Sequence, residues 1–282
     1  MKLAFVYAGQ GSQFAGMGKD LYEQYPTARA VFDQFPADFD LRTTCFADPN
    51  GLLNQTRYTQ PCMLAVAMAI TDILAENGIT PAMTAGLSLG EYSALYCAGV
   101  LDRKTAAELI GFRGQAMQKA SEGVESGMTA ILGLDRELVQ KACDQAQGEG
   151  VVCPANFNCP GQIVITGLAE AVEEASEKLK AAGGRRVIPL NVSGPFHSAM
   201  LATAGKELGK VLEGVTLHEL KIPYVTNVTA EYVEDPAETK ALLEKQISSS
   251  VRWQQSVENM IRQGVDTFIE IGPGRTLAGF MR

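Results

Sequence analysis

The sequence predicts an α/β protein in which a mostly parallel sheet forms the main body and a smaller unit is inserted into it. Three observations lead to this class. Short apolar runs alternate with longer helical patterns along most of the chain, one internal segment follows a different order, and 46% hydrophobic residues among 282 supply a large core. Alternating strands and helices are typical of parallel sheets, because each helix carries the chain back to the start of the next strand.

The larger unit is predicted from both ends of the chain. Strands are expected where short apolar runs are bounded by turn residues, and helices where apolar residues recur every three or four positions. The predicted strands are Leu3–Ala8, Met83–Ala85, Pro223–Asn227 and Thr267–Ile271, and the predicted helices are Gln60–Asn77, Lys104–Lys119 and Ala199–Leu212. Residues 1–123 and 191–282 are therefore expected to form one discontinuous domain.

Residues 124–190 follow a different order and are predicted to form a small inserted domain. Their pattern is βαββαβ, which is the ferredoxin-like order. The elements are a strand at Met128–Gly133, a helix at Arg136–Gln147, strands at Val151–Phe157 and Gln162–Thr166, a helix at Ala169–Ala182 and a strand at Arg185–Pro189.

The composition argues against several classes of protein. Asp and Glu outnumber Lys and Arg by 32 to 24, and the formal charge of −8 disfavours binding to nucleic acid or to an anionic membrane. The stretch Met63–Ala75 is interrupted by Thr71 and Asp72, well short of the roughly 20 apolar residues that span a bilayer. The six cysteines show no CxxC spacing and the two histidines lie apart from them, so no metal site is predicted. We expect a cytoplasmic protein with reduced thiols.

The sequence Gly-Leu-Ser-Leu-Gly at 86–90 matches the nucleophile elbow, in which a serine sits on a tight turn between a strand and a helix. Met83–Ala85 supplies the strand, and Glu91–Tyr96 can begin the helix. Ser88 would then stand at a helix amino terminus, where backbone amides favour developing negative charge. The alternative is a glycine-rich turn with an N-capping serine.

A serine nucleophile needs a neighbouring base, and histidine is the usual one near neutral pH. The chain has His197 and His218. His197 lies in the turn-forming sequence Gly-Pro-Phe-His-Ser at 194–198, where a side chain can project into a cleft, so we favour it as the base. His218 lies in an alternating segment and fits a structural role better. No acidic partner for the imidazole is marked, and a backbone carbonyl can take that place.

Arg113 lies on the apolar face of its predicted helix, together with Leu109 and Met117. Such an arginine needs an anion. One interpretation is an internal salt bridge or a side chain that reaches out to solvent, and the other is bidentate recognition of a substrate carboxylate.

A glycine-rich turn follows the first predicted strand, at 9–13. It lacks the third glycine of a dinucleotide-binding loop, because Phe14 occupies that place. Nicotinamide or flavin binding is therefore disfavoured. In a serine acyltransferase the same turn can place a backbone amide at the oxyanion.

Five sequence blocks, taken together and in this order, resemble the malonyl-CoA:acyl-carrier-protein transacylase family. They are Gly-Gln-Gly-Ser-Gln at 9–13, Gly-Leu-Ser-Leu-Gly-Glu-Tyr at 86–92, Phe-Arg-Gly-Gln-Ala-Met-Gln at 112–118, Gly-Pro-Phe-His-Ser at 194–198 and Glu-Ile-Gly-Pro-Gly at 270–274. The resemblance covers essentially the whole chain. It implies an α/β-hydrolase-like core with an inserted ferredoxin-like domain.

The resemblance also implies roles for individual residues. Ser88 would be the nucleophile, His197 the base, and Gln246 would offer its backbone carbonyl to the imidazole. The amides of Gln10 and Leu89 would form the oxyanion hole. The substrate-binding side chains would be Arg113, which binds the malonyl carboxylate, with Met117, Phe196 and Asn156.

One position departs from the family pattern. Many members carry histidine before the nucleophile, whereas this chain has Leu87. We expect the loss to be tolerated, because the proposed base is His197.

Asn156 and Asn158 match a stretch that lines the cleft in the family, although asparagine is also common in turns.

The activity implied by the resemblance is transfer of malonyl from malonyl-CoA to the phosphopantetheine thiol of an acyl carrier protein, in fatty-acid or polyketide synthesis. Malonyl-CoA and the phosphopantetheine arm are then substrates, no bound cofactor is expected, and the chain is expected to be a monomer.

An acyl-thioester hydrolase on the same scaffold is one alternative, against which Arg113 argues. A non-catalytic subunit that binds the carrier is the other, against which Ser88 and His197 argue. Basic residues such as Lys178 and Arg185 can bind an acidic carrier protein, or they can form a solvated helix face.

Overall fold

The computed structural model describes residues 1–146, 151–190, 192 and 194–282. It confirms the α/β class. The strands are β1 (Leu3–Tyr7), β2 (Met83–Gly86), β3 (Ser126–Leu132), β4 (Val152–Cys159), β5 (Gln162–Leu168), β6 (Arg186–Pro189), β7 (Tyr224–Val225), β8 (Tyr232–Val233) and β9 (Thr267–Ile271). The α-helices are α1 (Lys19–Gln24), α2 (Pro26–Gln34), α3 (Leu41–Phe46), α4 (Thr56–Glu76), α5 (Gly90–Cys97), α6 (Arg103–Ser121), α7 (Arg136–Ala146), α8 (Ala169–Ala181), α9 (Ala202–Glu213), α10 (Glu238–Gln246), α11 (Trp253–Arg262) and α12 (Thr276–Met281).

The first sheet has the strand order β8-β7-β2-β1-β9. β2 and β9 run parallel to β1, β7 runs parallel to β2, and the short pair of β7 and β8 is antiparallel. Both faces of the sheet are covered, which explains why every residue of β1 and β2 is buried. Trp253 and Met260 of α11 pack on one face, and Ala67 of α4 packs with Ala94 of α5 on the other.

The second sheet has the order β4-β5-β3-β6, and all its strand pairs are antiparallel. The helices α7 and α8 cover one face, where Cys143 and Ala175 pack with Ile165. The other face contributes Met128 and Val164 to the large core of the protein. The second sheet therefore stands with one face against its own helices and the other against the rest of the chain.

The site is positioned where these two sheets meet. β1, β2 and β9 are parallel, so their carboxyl ends lie at one edge of the first sheet. Val251 packs in the core of the first sheet with Val6 and Val225 and also pairs with β4 of the second sheet. Its N–H donates to the carbonyl of Ala155 at 2.7 Å, and its carbonyl accepts from the N–H of Phe157 at 2.9 Å. β4 is thereby tied to the segment between α10 and α11.

The helix α4, of 21 residues, passes for a membrane span by length and composition alone. In this structure 67% of its most apolar 18-residue window is buried inside the protein. It packs against α2, α5 and α6. The core helix of a soluble protein meets the same test, and burial accounts for the apolar composition of α4.

Most predicted elements are found within a few residues of their expected bounds. The predicted strand Pro223–Asn227 is reduced to the two residues of β7, and the predicted helix Ala199–Leu212 begins with a 3-10 turn at Ala199–Leu201 before α9. Gln147, expected at the end of a helix, lies outside the described residues, as does residue 191, the expected start of the second part of the large domain. The division at 123/124 and 190/191 stays a prediction.

Candidate active site

Ser88 lies on the sharp turn between β2 and α5. Its backbone has a φ of 55°, which is the left-handed region that a side chain rarely adopts. The flanking glycines are required by packing: a Cβ at Gly86 would overlap the main chain of Gly90, and a Cβ at Gly90 would overlap the carbonyl oxygen of Tyr7. The turn is therefore an elbow that projects Ser88, as its sequence pattern predicts.

Asn227, which follows β7, holds this turn from the side. Its Oδ1 accepts a hydrogen bond from the backbone N–H of Ser88 at 2.7 Å, and its Nδ2 donates to the carbonyl of Gly86 at 2.6 Å. Asn227 itself is fully buried. Sequence reasoning did not identify it, because it lies 139 positions from Ser88.

His197 is brought to Ser88 from the loop before α9. Its Nε2 lies 2.8 Å from the Ser88 Oγ, and its Nδ1 lies 3.0 Å from the carbonyl oxygen of Gln246 and 3.1 Å from that of Ser249. Carbonyl oxygens only accept, so the proton belongs on Nδ1 and Nε2 is free to accept from the serine. Burial, and then the charge of Arg113, lower the pKa of His197 to about 4. The imidazole is thus a neutral base at physiological pH.

His218 lies away from this group. Its side chain is half exposed and its Nε2 stands 3.7 Å from Asp102 Oδ2. The preference for His197 over His218 as the histidine near Ser88 therefore agrees with the geometry.

Arg113 is completely buried, with no exposed surface. Its Nη2 donates to the Ser88 Oγ at 3.1 Å and to the Gln246 Oε1 at 3.0 Å, and its Nη1 donates to the Gln60 Oε1 at 2.8 Å. Within the described residues no carboxylate lies within 4.0 Å of the guanidinium, and its Nε has no hydrogen-bond partner. Neither a salt bridge nor a solvent-reaching side chain accounts for this arginine.

A buried cation whose partners are neutral oxygens is poised to bind an anion. The ring of Tyr92 lies 5.5 Å from the guanidinium carbon and adds a cation–π contact. Burial lowers the pKa of Arg113, but an arginine keeps its charge because its ordinary value lies far above physiological pH. Of the two interpretations drawn from sequence, carboxylate recognition fits this environment.

The side chain of Gln246 joins three members of the site. Its Oε1 accepts from Arg113, and its Nε2 donates to the Ser88 carbonyl at 3.0 Å and to the Glu91 Oε2 at 2.6 Å. Its backbone carbonyl accepts from His197, as expected from the family pattern. The side-chain contacts were not expected from sequence.

Gln10 and Leu89 are the residues whose backbone amides are expected to form the oxyanion hole. Both residues line the cavity that contains Ser88. Among the described residues neither amide donates to a protein acceptor. Two free N–H groups beside a nucleophile are suited to a developing oxyanion. The Gln10 side chain donates to Thr56 Oγ1 at 3.1 Å, which steadies the turn.

The cavity between the sheets has a volume of about 390 Å³. Met117, Phe196 and Asn156 line it, so the structure brings these predicted residues to the same space as Ser88 and His197. Asn158 lines it too, and its buried Oδ1 has no hydrogen-bond partner among the described residues. Leu87 also faces the cavity.

The basic helix face noted in the sequence lies outside the site. Lys178 on α8 forms an exposed pair with Glu174 at 3.2 Å, as expected of a solvated helix face. Among the described residues no group of three or more histidine, cysteine, aspartate and glutamate side chains could hold a metal ion.

The residues that sequence reasoning missed are supports for the predicted residues. Gln60 orients Arg113, Asn227 holds the Ser88 turn, and the carbonyl of Ser249 shares the His197 proton. Each is a polar side chain or carbonyl that the fold brings from a distant part of the chain. Glu91 was also missed as a support, although its position directly after the Gly-Leu-Ser-Leu-Gly turn at 86–90 could have indicated that it lies near Ser88.

The arrangement places the Ser88 hydroxyl beside an imidazole that can accept its proton and beside a buried guanidinium. It is suited to acyl transfer through a serine ester.

Residues 4–281 match the family described as the acyl transferase domain. The chain is 44% identical over 284 residues to the malonyl CoA-acyl carrier protein transacylase of Bacillus subtilis (strain 168), covering 100% of this chain and 90% of that protein. The solved structure of an acyl carrier protein S-malonyltransferase from Vibrio cholerae matches with a TM-score of 0.96 and 44% identity, over 99% of this chain and 92% of the other. The malonyl-transacylase that was solved in complex with a type II PKS acyl-carrier protein matches with a TM-score of 0.96 and 41% identity, over 99% of this chain and 92% of the other.

Proposed function

Because this chain belongs to the acyl transferase family and to its malonyl CoA-acyl carrier protein transacylases, we propose that Ser88 carries the malonyl group in the reaction these enzymes perform. The chain transfers malonyl from malonyl-CoA to an acyl carrier protein. The observation that carries the proposal is that the Ser88 Oγ lies within hydrogen-bond distance of both His197 and Arg113.

In the first half of the reaction, the Ser88 Oγ attacks the thioester carbonyl of malonyl-CoA while His197 Nε2 takes its proton. The carbonyl electrons move onto oxygen, which the amides of Gln10 and Leu89 stabilise. When the tetrahedral intermediate collapses, the C–S bond breaks and the sulfur of CoA leaves with the proton from His197. The product is a malonyl ester of Ser88.

In the second half, the phosphopantetheine thiol of the carrier protein gives its proton to His197 and attacks the ester. The Ser88 oxygen then leaves and regains the proton. Both acceptors of the Nδ1 proton are carbonyl oxygens, those of Gln246 and Ser249, so the imidazolium that forms in each half-reaction is stabilised by dipoles and not by a carboxylate.

Selectivity for malonyl is assigned to Arg113. Its guanidinium already reaches the Ser88 Oγ at 3.1 Å, so an acyl group attached there can present its distal carboxylate to the same cation. Phe196, which lines the cavity beside the base, is proposed to crowd the acyl α-carbon and disfavour a methyl branch. Met117 and Asn156 would complete the wall around the acyl chain.

Further proposals follow from the sequence. The first sheet and its helices are proposed to be an α/β-hydrolase-like core, and residues 124–190 a ferredoxin-like domain, which the strand order β4-β5-β3-β6 supports. We propose that the enzyme acts as a monomer in the cytoplasm without a bound cofactor. It would bind neither nucleic acid nor membranes.

The test is mass spectrometry of the intact protein mixed with malonyl-CoA and a holo carrier protein, beside Ser88→Ala and Arg113→Ala. We expect a malonyl adduct on the wild type, none on Ser88→Ala, and malonyl-loaded carrier as the product. Arg113→Ala is expected to lower malonyl loading by at least about a hundredfold, since a charge-assisted bidentate contact is lost. Free malonate without loaded carrier would make the enzyme a hydrolase and overturn the proposal.

A further inference from the structure

Glu91, the second residue of α5, is a buried carboxyl group that the reaction steps above do not use. It has no exposed surface. Its Oε2 accepts two hydrogen bonds, from Gln246 Nε2 at 2.6 Å and from the backbone N–H of Asn227 at 3.1 Å. Its Oε1 has no hydrogen-bond partner among the described residues. Burial raises the pKa of Glu91 to about 7, with the hydrogen bonds at Oε2 acting in the opposite direction.

The first group that Glu91 holds is the side-chain amide of Gln246. The two ends of such an amide are nearly equal in shape, so hydrogen-bond partners decide which end faces which neighbour. The Oε2 of Glu91 already accepts from the backbone N–H of Asn227, so it acts as an acceptor and the NH₂ of Gln246 turns towards it. The oxygen of Gln246 then faces Arg113 and accepts from Nη2 at 3.0 Å. With the amide reversed, an NH₂ group would oppose the guanidinium.

The second group is Asn227. Its backbone N–H donates to Glu91, while its side chain accepts from the N–H of Ser88 at 2.7 Å and donates to Gly86. One carboxylate oxygen therefore fixes both supports of the site: the amide that orients the cation and the residue that holds the turn of the nucleophile.

We propose that Glu91 is a positioning residue for malonyl transfer, whose Oε2 acts as a double acceptor that sets the orientation of Gln246 and Asn227 and, through them, of Arg113 and Ser88. This inference rests on the proposed function. It assigns Glu91 no contact with substrate. Instead it explains how the guanidinium of Arg113 is aimed while remaining free of a direct ion pair, so that it stays available to the carboxylate of the acyl group.

The charged and titratable groups that interact with Glu91 are consistent with this indirect action. Arg113 of α6 interacts with it electrostatically, and so do Tyr92 of its own helix and Tyr224 of β7. From α10 it receives the uncharged Gln246. The amide therefore separates the carboxylate from the cation and transmits its position by hydrogen bonds.

Two substitutions of Glu91 test whether the hydrogen-bond acceptor at Oε2 is what matters, or only the size of the side chain. Glu91→Gln keeps an oxygen that can accept at the Oε2 position, whereas Glu91→Met has a similar length and no strong acceptor. The readout is the acylation of Ser88 by malonyl-CoA and by acetyl-CoA, measured on the full chain by intact mass spectrometry without carrier protein. The ratio of the two rates reports how well Arg113 is aimed, because acetyl has no distal carboxylate. Glu173→Met, at an exposed position of α8, is the matched control.

We expect Glu91→Met to lower the malonyl-to-acetyl ratio by about tenfold or more, and Glu91→Gln to keep it within about threefold of the wild type. A partly unfolded variant lowers both rates together and leaves the ratio unchanged, so a purely structural role would not produce this result. An unchanged ratio in Glu91→Met, or an equal loss in Glu91→Gln, would overturn the inference. If Glu91→Met does not fold, Glu91→Gln still decides, since it must keep the ratio. A wild type that is not acylated at Ser88 would instead refute the proposed function.

Discussion

At the scale of single residues, the site depends on groups whose burial changes their acid–base behaviour. His197 and Glu91 are both buried, and in each the charged form is disfavoured: the pKa of the imidazole falls to about 4 and the pKa of the carboxyl rises to about 7. The two shifts have opposite consequences for stability as pH changes, because one group is a base and the other an acid.

The shift of Glu91 gives a pH prediction. Its pKa is about 7 in the folded chain and about 4.3 in an unfolded one, so between these values the folded state holds more protons. The free energy of unfolding contributed by Glu91 therefore falls as pH rises from about 4 to about 7, and stays low above that. Glu91→Gln cannot ionise. We expect the melting temperature of Glu91→Gln relative to the wild type to increase from pH 5 to pH 8, as measured by calorimetry.

The matched control for this prediction is Glu173→Gln. That side chain is exposed, so its replacement should shift the melting temperature by the same small amount at both pH values. A Glu91→Gln difference that is also constant with pH would show that Glu91 does not titrate in this range.

The residues that could be predicted from sequence are those whose local pattern is itself unusual. Ser88 is marked by two glycines that the turn needs, His197 by its loop, and Arg113 by an apolar helix face. Gln246 was found through the family pattern alone. Asn227 and Gln60 were not predicted, because a buried polar support is recognisable only when the fold has brought its partner to it.

At the scale of elements, the turn between β2 and α5 depends on close approach of backbone atoms. Gly86 has no room for a side chain against Gly90, whereas Gly111 in the middle of α6 has open space around the place of its Cβ. We expect Gly86→Ala to destabilise the fold by about 3 kcal/mol or more. Gly111→Ala should stabilise it by about 0.5–1 kcal/mol, since alanine is the better helix former.

Denaturant unfolding of the two variants measures both effects. The pair is matched, because each adds one methyl group to a glycine and the two sites differ in available space. Equal effects on stability would mean that the elbow tolerates a side chain at position 86 and that its glycine is not required by packing.

The sequence predicted elements well where one pattern persisted for several turns or strands, and poorly where elements were short. α6 and α8 were predicted within two residues of their ends. α1, α3, α12 and β8, of two to six residues, were not predicted, because too few positions carry a periodic signal. The longer helices α2, α10 and α11, of 9 or 10 residues, were not predicted either. β7 was predicted too long: its last predicted residue, Asn227, leaves the strand to hold the Ser88 turn.

At the scale of the whole molecule, the site needs both sheets. Ser88 follows a strand of the first sheet, Asn156 belongs to β4 of the second, and His197 is held by Gln246 and Ser249, in the segment that leads to Val251. That segment pairs with β4 through the two hydrogen bonds of Val251. The geometry around the imidazole is therefore coupled to the relative position of the sheets.

Substitution of Val251 tests this coupling. Val251→Pro removes the N–H that donates to Ala155, whereas Val251→Ala keeps it and loses only apolar contact. We expect hydrogen exchange in β4 to become faster in Val251→Pro than in Val251→Ala when the two are compared at equal global stability. We also expect acylation of Ser88 by malonyl-CoA to fall by about tenfold or more in the proline variant alone, because the carbonyls that orient His197 are displaced with the segment. Equal exchange and equal acylation in the two variants would show that the sheets hold their relative position without this link.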